Sequence, residues 1–137
     1  MSDIVYTREA TLGVDDYVAV LADTTMRGNR PLDNPPRIAE MLAGANFVVT
    51  AREDGQILGL ARCLTDHSWI CYCAELAVRE SAQGRGIGAG ILQKCWELLG
   101  PRVGFTLLSQ STAAAFYEHI GMERCPDAFL RNRTDRA

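Results

Sequence analysis

Between residues 83 and 90 the chain reads Gln83-Gly84-Arg85-Gly86-Ile87-Gly88-Ala89-Gly90. Glycine admits positive φ and close backbone approach, so consecutive amide N–H groups can converge on one anion. A helix starting here adds its unpaired donors and the positive end of its dipole. The segment therefore reads as a phosphate cradle, with a tight turn and close helix packing as the plainer alternative. A P-loop is excluded, because the helix start carries neither the lysine nor the hydroxyl of G-K-[ST]. Gly84 to Ala89 does fit the Rossmann pattern with alanine last. That motif, however, follows its strand directly, near the chain start, and is answered about 20 residues later by a carboxylate. Here a spacer separates Val78 from Gly84, three strands come earlier, and 103–110 hold no acid.

Two further sets of residues bear on chemistry. Glu75 is an ionisable residue inside an otherwise apolar strand, where an unpaired charge is costly and asks for a reason. It either faces a cleft and relays a proton through water, or forms a salt bridge to an arginine such as Arg62 across the sheet. The five cysteines, Cys63, Cys71, Cys73, Cys95 and Cys125, show no C-x-x-C spacing, and neither His67 nor His119 stands near a cysteine pair. They read as reduced thiols behaving as small hydrophobes, with no metal and no disulfide framework expected.

These residues need a scaffold, and the length allows one. A chain of 137 residues with 47% apolar and 23% charged residues is one soluble domain, 1–137, able to bury a real core. No apolar run reaches a membrane span, and the first residues lack the pattern of a secretory signal, so a cytoplasmic protein is expected. A net charge of −3 offers no basic footprint for nucleic acid or an anionic membrane.

Periodicity supplies the elements. A strand is expected over 4–8, and helical spacing of Val14, Tyr17, Val18 and Leu21 gives a helix ending near Met26. Asn34-Pro35-Pro36 opens a short helix with Ile38, Met41 and Leu42 on its apolar face. Strands follow at 47–51 and 56–64 around the hairpin dipeptide Asp54-Gly55, then at 69–78 after a turn at Asp66-His67-Ser68. Ile87, Ile91, Cys95 and Leu92, Trp96, Leu99 mark one helix face, stopped by Gly100-Pro101. A buried strand at 103–108, a helix at 111–120 and a last strand near Phe129 and Leu130 complete the order. The fold class is α/β: a mixed, mostly antiparallel twisted sheet with helices on both faces.

Ala77-Val78, the spacer and Gln83-Gly84-Arg85-Gly86-Ile87-Gly88 resemble the Q/R-x-x-G-x-G/A acetyl-CoA signature of the GNAT N-acetyltransferase superfamily. Ala115-Phe116-Tyr117-Glu118-His119-Ile120-Gly121-Met122 is similar to that family's second motif, with Met122 where phenylalanine is usual. Element order and motif spacing agree, so the resemblance spans nearly the whole chain. It implies the GNAT fold and an acetyl-CoA-dependent transfer to an amine, without an acyl-enzyme. It also implies that the strand of Leu76, Ala77 and Val78 bulges, splays from its neighbour and pairs with the pantetheine arm. Gln83, Gly84, Arg85, Gly86, Ile87, Gly88 and Ala89 would hold the pyrophosphate; the Arg85 side chain either reaches a phosphate as well or is a solvated loop arginine.

By the same resemblance Tyr117 is the general acid to the coenzyme A sulfur; an ordinary phenol, with pKa near about 10, is protonated at neutral pH. Glu75 is the candidate base. The chain departs from the family in two places: the strand at 103–108 carries no glutamate, and Gln110, Ser111 or Thr112 replaces the asparagine that often opens the next helix. His119 could act as a base but reads as a surface or packed histidine. Acceptor choice is expected from 24–36 and the Asp66-His67-Ser68 turn; Asp23, Asp33 and Asp66 either attract a cationic amine or are simply solvated loop charges. A homodimer is expected from the small size and the apolar third long strand. The rival reading is a non-catalytic acyl-CoA-binding sensor module.

Overall fold

Five strands lie side by side in chain order in a single sheet: β1 (Ile4–Glu9), β2 (Phe47–Glu53), β3 (Gln56–Thr65), β4 (Ile70–Val78) and β5 (Gly104–Leu107). The first four run antiparallel to their neighbours, and β5 runs parallel to β4. This is a computed structural model, and it describes residues 3–136. The mixed, mostly antiparallel sheet expected from the hairpins and the β-α-β unit is the one observed.

Each turn signal has its physical counterpart. Asp54 and Gly55 both take positive φ, 52° and 81°, which keeps the β2–β3 hairpin tight. The Asn34 side chain accepts the Arg37 N–H and caps α2 (Pro35–Gly44), whose prolines sit where no intrahelical donor is needed. Helix α3 (Ile87–Leu99) buries Ile87, Ile91, Leu92 and Cys95, the face that the spacing marked.

Two apolar layers sandwich the sheet. Tyr17, Val20 and Leu21 of α1 (Val14–Ala22) and Ile38 of α2 pack on one face with Val48, Leu60 and Ala77. Helix α3 covers the other face with Phe47, Val49, Ala61, Cys63, Cys71 and Cys73. Four cysteines are thus core residues, and Cys125 alone is exposed. The adjacent Cys63 thiol, and then burial, push the Cys71 and Cys73 thiols up, away from nucleophilic character.

Several elements depart from expectation. The first helix ends at Ala22, because Thr24 turns extended, donates its hydroxyl to the Leu21 carbonyl and accepts the Met26 N–H, which starts a short 3-10 turn, Thr25–Gly28. The strand expected as buried at 103–108 shortens to β5 and is only half-covered, since it is the sheet's edge. The helix expected over 111–120 splits into a 3-10 turn, Ser111–Ala113, and a six-residue α4, Ala114–His119. The stretch around Phe129 and Leu130 forms no strand; both side chains are exposed.

Candidate functional site

A bulge in β4 sets the geometry of the site. Arg62 pairs with Glu75, but Cys63 pairs with Cys73, so Ala74 is the extra residue. The insertion reverses which face alternate side chains take. Cys71 and Cys73 point to the α3 side, whereas Glu75 and Ala77 point to the α1 side. Pairing of β4 with β5 stops at Cys73 and Leu107, so the remainder of β4 has no strand on that side. The splay expected from the family resemblance is therefore present, and a groove of about 550 Å³ occupies it.

One end of the groove is the glycine turn. Gly84 and Gly86 take φ of 84° and 75°, and Gly86 serves as the N-cap of α3 with no side-chain hydrogen bond. The first amides of α3 therefore have neither an intrahelical acceptor nor a capping side chain, and are open to an anion. Gln83, Gly84, Gly86, Ile87, Gly88 and Ala89 line the groove, as do Leu76 and Val78. A phosphate chain followed by an extended amide-bearing arm fits this shape: donors at the helix end, then unpaired strand edge.

Two side chains and one glycine near the groove are engaged away from it. The Ala77 side chain faces the α1 layer, leaving only its backbone on the groove's strand. The Arg85 guanidinium is turned to the Glu53 carboxylate, 2.6 Å away, instead of reaching into the groove. Gly90, which closes the motif, is a packing residue: a Cβ there would stand 2.4 Å from the Tyr6 ring.

At the other end of the groove stands Tyr117, on α4. It lines both the groove and a smaller chamber of about 200 Å³. Phe116 meets its ring edge-on at 5.1 Å and itself rests near Gly88 at the start of α3. Burial, with the Cys73 thiol close by, raises the Tyr117 hydroxyl to about 12, so it is a proton donor throughout the neutral range. His119, two residues on, is exposed and lies outside these cavities.

The chamber's far wall is Glu75, 3% exposed. Its Oε1 accepts from Tyr17 at 2.9 Å and from Arg62 Nε at 2.6 Å. Its Oε2 accepts from Arg30 Nε at 3.0 Å and from a second Arg62 nitrogen at 2.5 Å. Burial opposes ionisation here, but the two guanidiniums and the phenol outweigh it and hold the carboxyl below its usual range. Arg30 also donates to the Ala74 carbonyl, which ties the bulge to the loop after α1. The ion-pair role anticipated with Arg62 is thus realised and extended.

Sequence reasoning missed two members of this site, Tyr17 and Arg30, and left a third, Gln110, as one of three alternatives. Tyr17 read as one more apolar position of α1, and Arg30 sits in a turn without periodicity. Gln110, the residue standing for the usual asparagine, lines both groove and chamber and accepts from the Thr25 hydroxyl at 3.2 Å. Only Gln110 carried a signal, its place before the last helix. Among the described residues no His, Cys, Asp and Glu side chains gather as a metal site, and no helix is long and apolar enough to cross a membrane.

Residues 32–134 match the family model described as an acetyltransferase (GNAT) domain. Histone acetyltransferase TAP1 of Glycine max is 30% identical over 77 residues, 55% of this chain and 33% of that protein. GCN5-related N-acetyltransferase 2, chloroplastic, of Arabidopsis thaliana is 27% identical over 78 residues, 56% of this chain and 30% of that protein. The chain spans about a third of the length of these curated relatives. Among solved structures, a GNAT family acetyltransferase from Streptococcus pneumoniae TIGR4 superposes with a TM-score of 0.71 at 17% identity, covering 96% of this chain and 99% of that one. The aminoglycoside N-acetyltransferase AAC(6')-Iy, in complex with CoA, gives a TM-score of 0.71 at 14% identity, covering 98% and 97%. At such identities these structures speak for the fold alone.

Proposed function

This chain belongs to the acetyltransferase (GNAT) family, and on that premise we propose that it is an acetyl-CoA-dependent N-acetyltransferase acting on a primary amine of a small molecule or protein. The observation that carries the reading is the convergence on Tyr117 of a groove with an uncapped helix start at one end and a splayed strand along its length. Acetyl-CoA supplies the activated thioester carbonyl.

Backbone amides at Ile87 and Gly88 bind the anionic end, with Gly84 and Gly86 giving the turn its conformation. The unpaired edge of β4 at Leu76 to Val78 aligns the arm. An amine entering through the Glu75 side reaches the chamber that Tyr117 also lines. As the N–C bond forms and the C–S bond breaks, Tyr117 donates its proton to the departing sulfur and is reprotonated from solvent. The amine's own proton leaves to water.

Glu75 enters this reading as an anchor. A carboxylate that accepts four hydrogen bonds and is held below its usual range has little basicity left to take an ammonium proton. The expected base role therefore gives way to a positioning one: Glu75 fixes Arg30 and Arg62 at the entrance. The same observation favours a second reading, a non-catalytic acyl-CoA-binding sensor, because the carboxylate lining the chamber with Tyr117 is taken up by Arg30, Arg62 and Tyr17. The two separate in one experiment. Thiol release from acetyl-CoA is followed over a panel of primary amines; release with any amine above the hydrolytic background supports the transferase. Tight acetyl-CoA binding with no release supports the sensor.

Two companion proposals accompany this reading. Free thiols buried in the core suit a reducing compartment, the cytoplasm. A second copy of the chain is the proposed cover for Leu64, Ile70 and Tyr72, which form an exposed apolar strip where β3 and β4 pair. Sedimentation at micromolar concentration should show a dimer, and a monomer would contradict it.

A further inference from the structure

The cleft on the amine side of Glu75 has a charge opposite to that of the chain. It encloses about 600 Å³ and joins the Tyr117 chamber through Asn29, Arg30, Ala74 and Glu75, which line both. Its walls carry five arginines, Arg30, Arg37, Arg62, Arg133 and Arg136, against two carboxylates, Asp33 and Glu75. The whole chain, by contrast, has a net charge of −3. Glu75 is engaged by Arg30 and Arg62, so Asp33 is the carboxylate left to face Arg37, Arg133 and Arg136.

Arg37 is informative by its position. It lies in the first turn of α2, where the helix dipole disfavours a cation and an acidic residue would stabilise. The dipole of its own helix therefore does not favour its guanidinium, and Arg37 lines the cleft. A bare cationic amine would meet repulsion here, which reverses the expectation drawn from Asp23, Asp33 and Asp66. Of those three, only Asp33 lines the cleft.

We infer that the acceptor is an amine that also carries an anionic group, a carboxylate or a phosphate, seated on Arg37 with Arg133 and Arg136. This deepens the transferase reading and rests on it. Arg37 and the tail arginines hold the anion, Arg30 and Arg62 are kept rigid by Glu75 on the inner wall, and the amine end points into the chamber. The transfer is balanced as above, the amine proton leaving to water and the sulfur taking one from Tyr117.

The test uses matched pairs of amines in the thiol-release assay. In one arm amino acids are compared with their carboxamides; in the other, phosphoethanolamine is compared with ethanolamine. The anionic member of at least one arm should have a kcat/KM at least about tenfold higher, the scale of one charge-assisted hydrogen bond, and the favoured arm identifies the anion. Arg37→Gln should raise KM for the anionic member about tenfold, change its kcat less than about threefold and leave the neutral member unaffected. Arg133→Gln, on the exposed tail, should act in the same direction. Equal use of both members, or an Arg37→Gln effect common to both, overturns the inference. If acetyl-CoA binds but no amine is acetylated, the transferase reading fails. The anion site is then read by calorimetry of N-acetyl amino acids against their amides with CoA bound. Preference for the acids, lost in Arg37→Gln, supports the site, and no preference overturns it.

Discussion

Arg62 and Glu75 face each other across β3 and β4, joined by two hydrogen bonds of 2.6 and 2.5 Å that grip both carboxylate oxygens. A bidentate pair in this geometry is the strongest ordinary form of ion pairing. Glu75 also takes Arg30 and the Tyr17 hydroxyl, so one side chain links β3, α1 and the loop before α2.

Glu75→Gln should lower stability by about 3–5 kcal/mol, the cost of leaving a buried charge without its partner. Its pH dependence has a definite sign. The carboxyl is depressed in the fold, so its stabilisation is complete above the ordinary value of 4.5 and is lost as pH falls through the lower folded value. Urea unfolding of both proteins at pH 7 and pH 3 checks this. The difference between them should be large at pH 7 and shrink at pH 3.

Gly86→Ala places a Cβ on a residue at φ 75°. The conformation costs about 1–2 kcal/mol for a non-glycine residue, and relief of that strain displaces the first amides of α3. Acetyl-CoA binding should weaken about 5- to 30-fold, measured by calorimetry. A change in melting temperature as large as that of Glu75→Gln would point to a structural role instead.

The pH profile of kcat/KM should rise with unit slope up to the acceptor amine's own pKa, with no lower inflection from an enzyme carboxylate. No descending limb should appear below about pH 10, because Tyr117 is raised to about 12 and loses its proton only above that. An inflection abolished by Glu75→Gln would restore the carboxylate as base.

How much of this was legible in the residues depended on range. Asp54-Gly55, the α3 stripe and the glycine turn are local patterns, and each lands where its spacing put it. Both motif ends, Gly84 to Ala89 and Tyr117, come together as the β-α-β connection requires. What spacing could not show is the bulge at Ala74, because an extra residue is defined only against its partner strand. With it went the side on which Glu75 falls, and so its contact with Tyr17 and Arg30. The final strand near Phe129 failed for a different reason: an apolar pair alone does not specify a strand, and this stretch does not pair with the β5 edge. Arg85 was read from its position in the motif, whereas its side chain is governed by Glu53, 32 residues away in sequence.

The most direct measurement is the turnover of Tyr117→Phe at saturating acetyl-CoA, with cofactor affinity determined in parallel. Removing the hydroxyl while keeping the ring should lower kcat by about 10²- to 10⁴-fold, the range for loss of a positioned general acid, with acetyl-CoA affinity changed less than about threefold. An unchanged kcat would contradict the account, because the groove would then lead to a tyrosine that donates nothing.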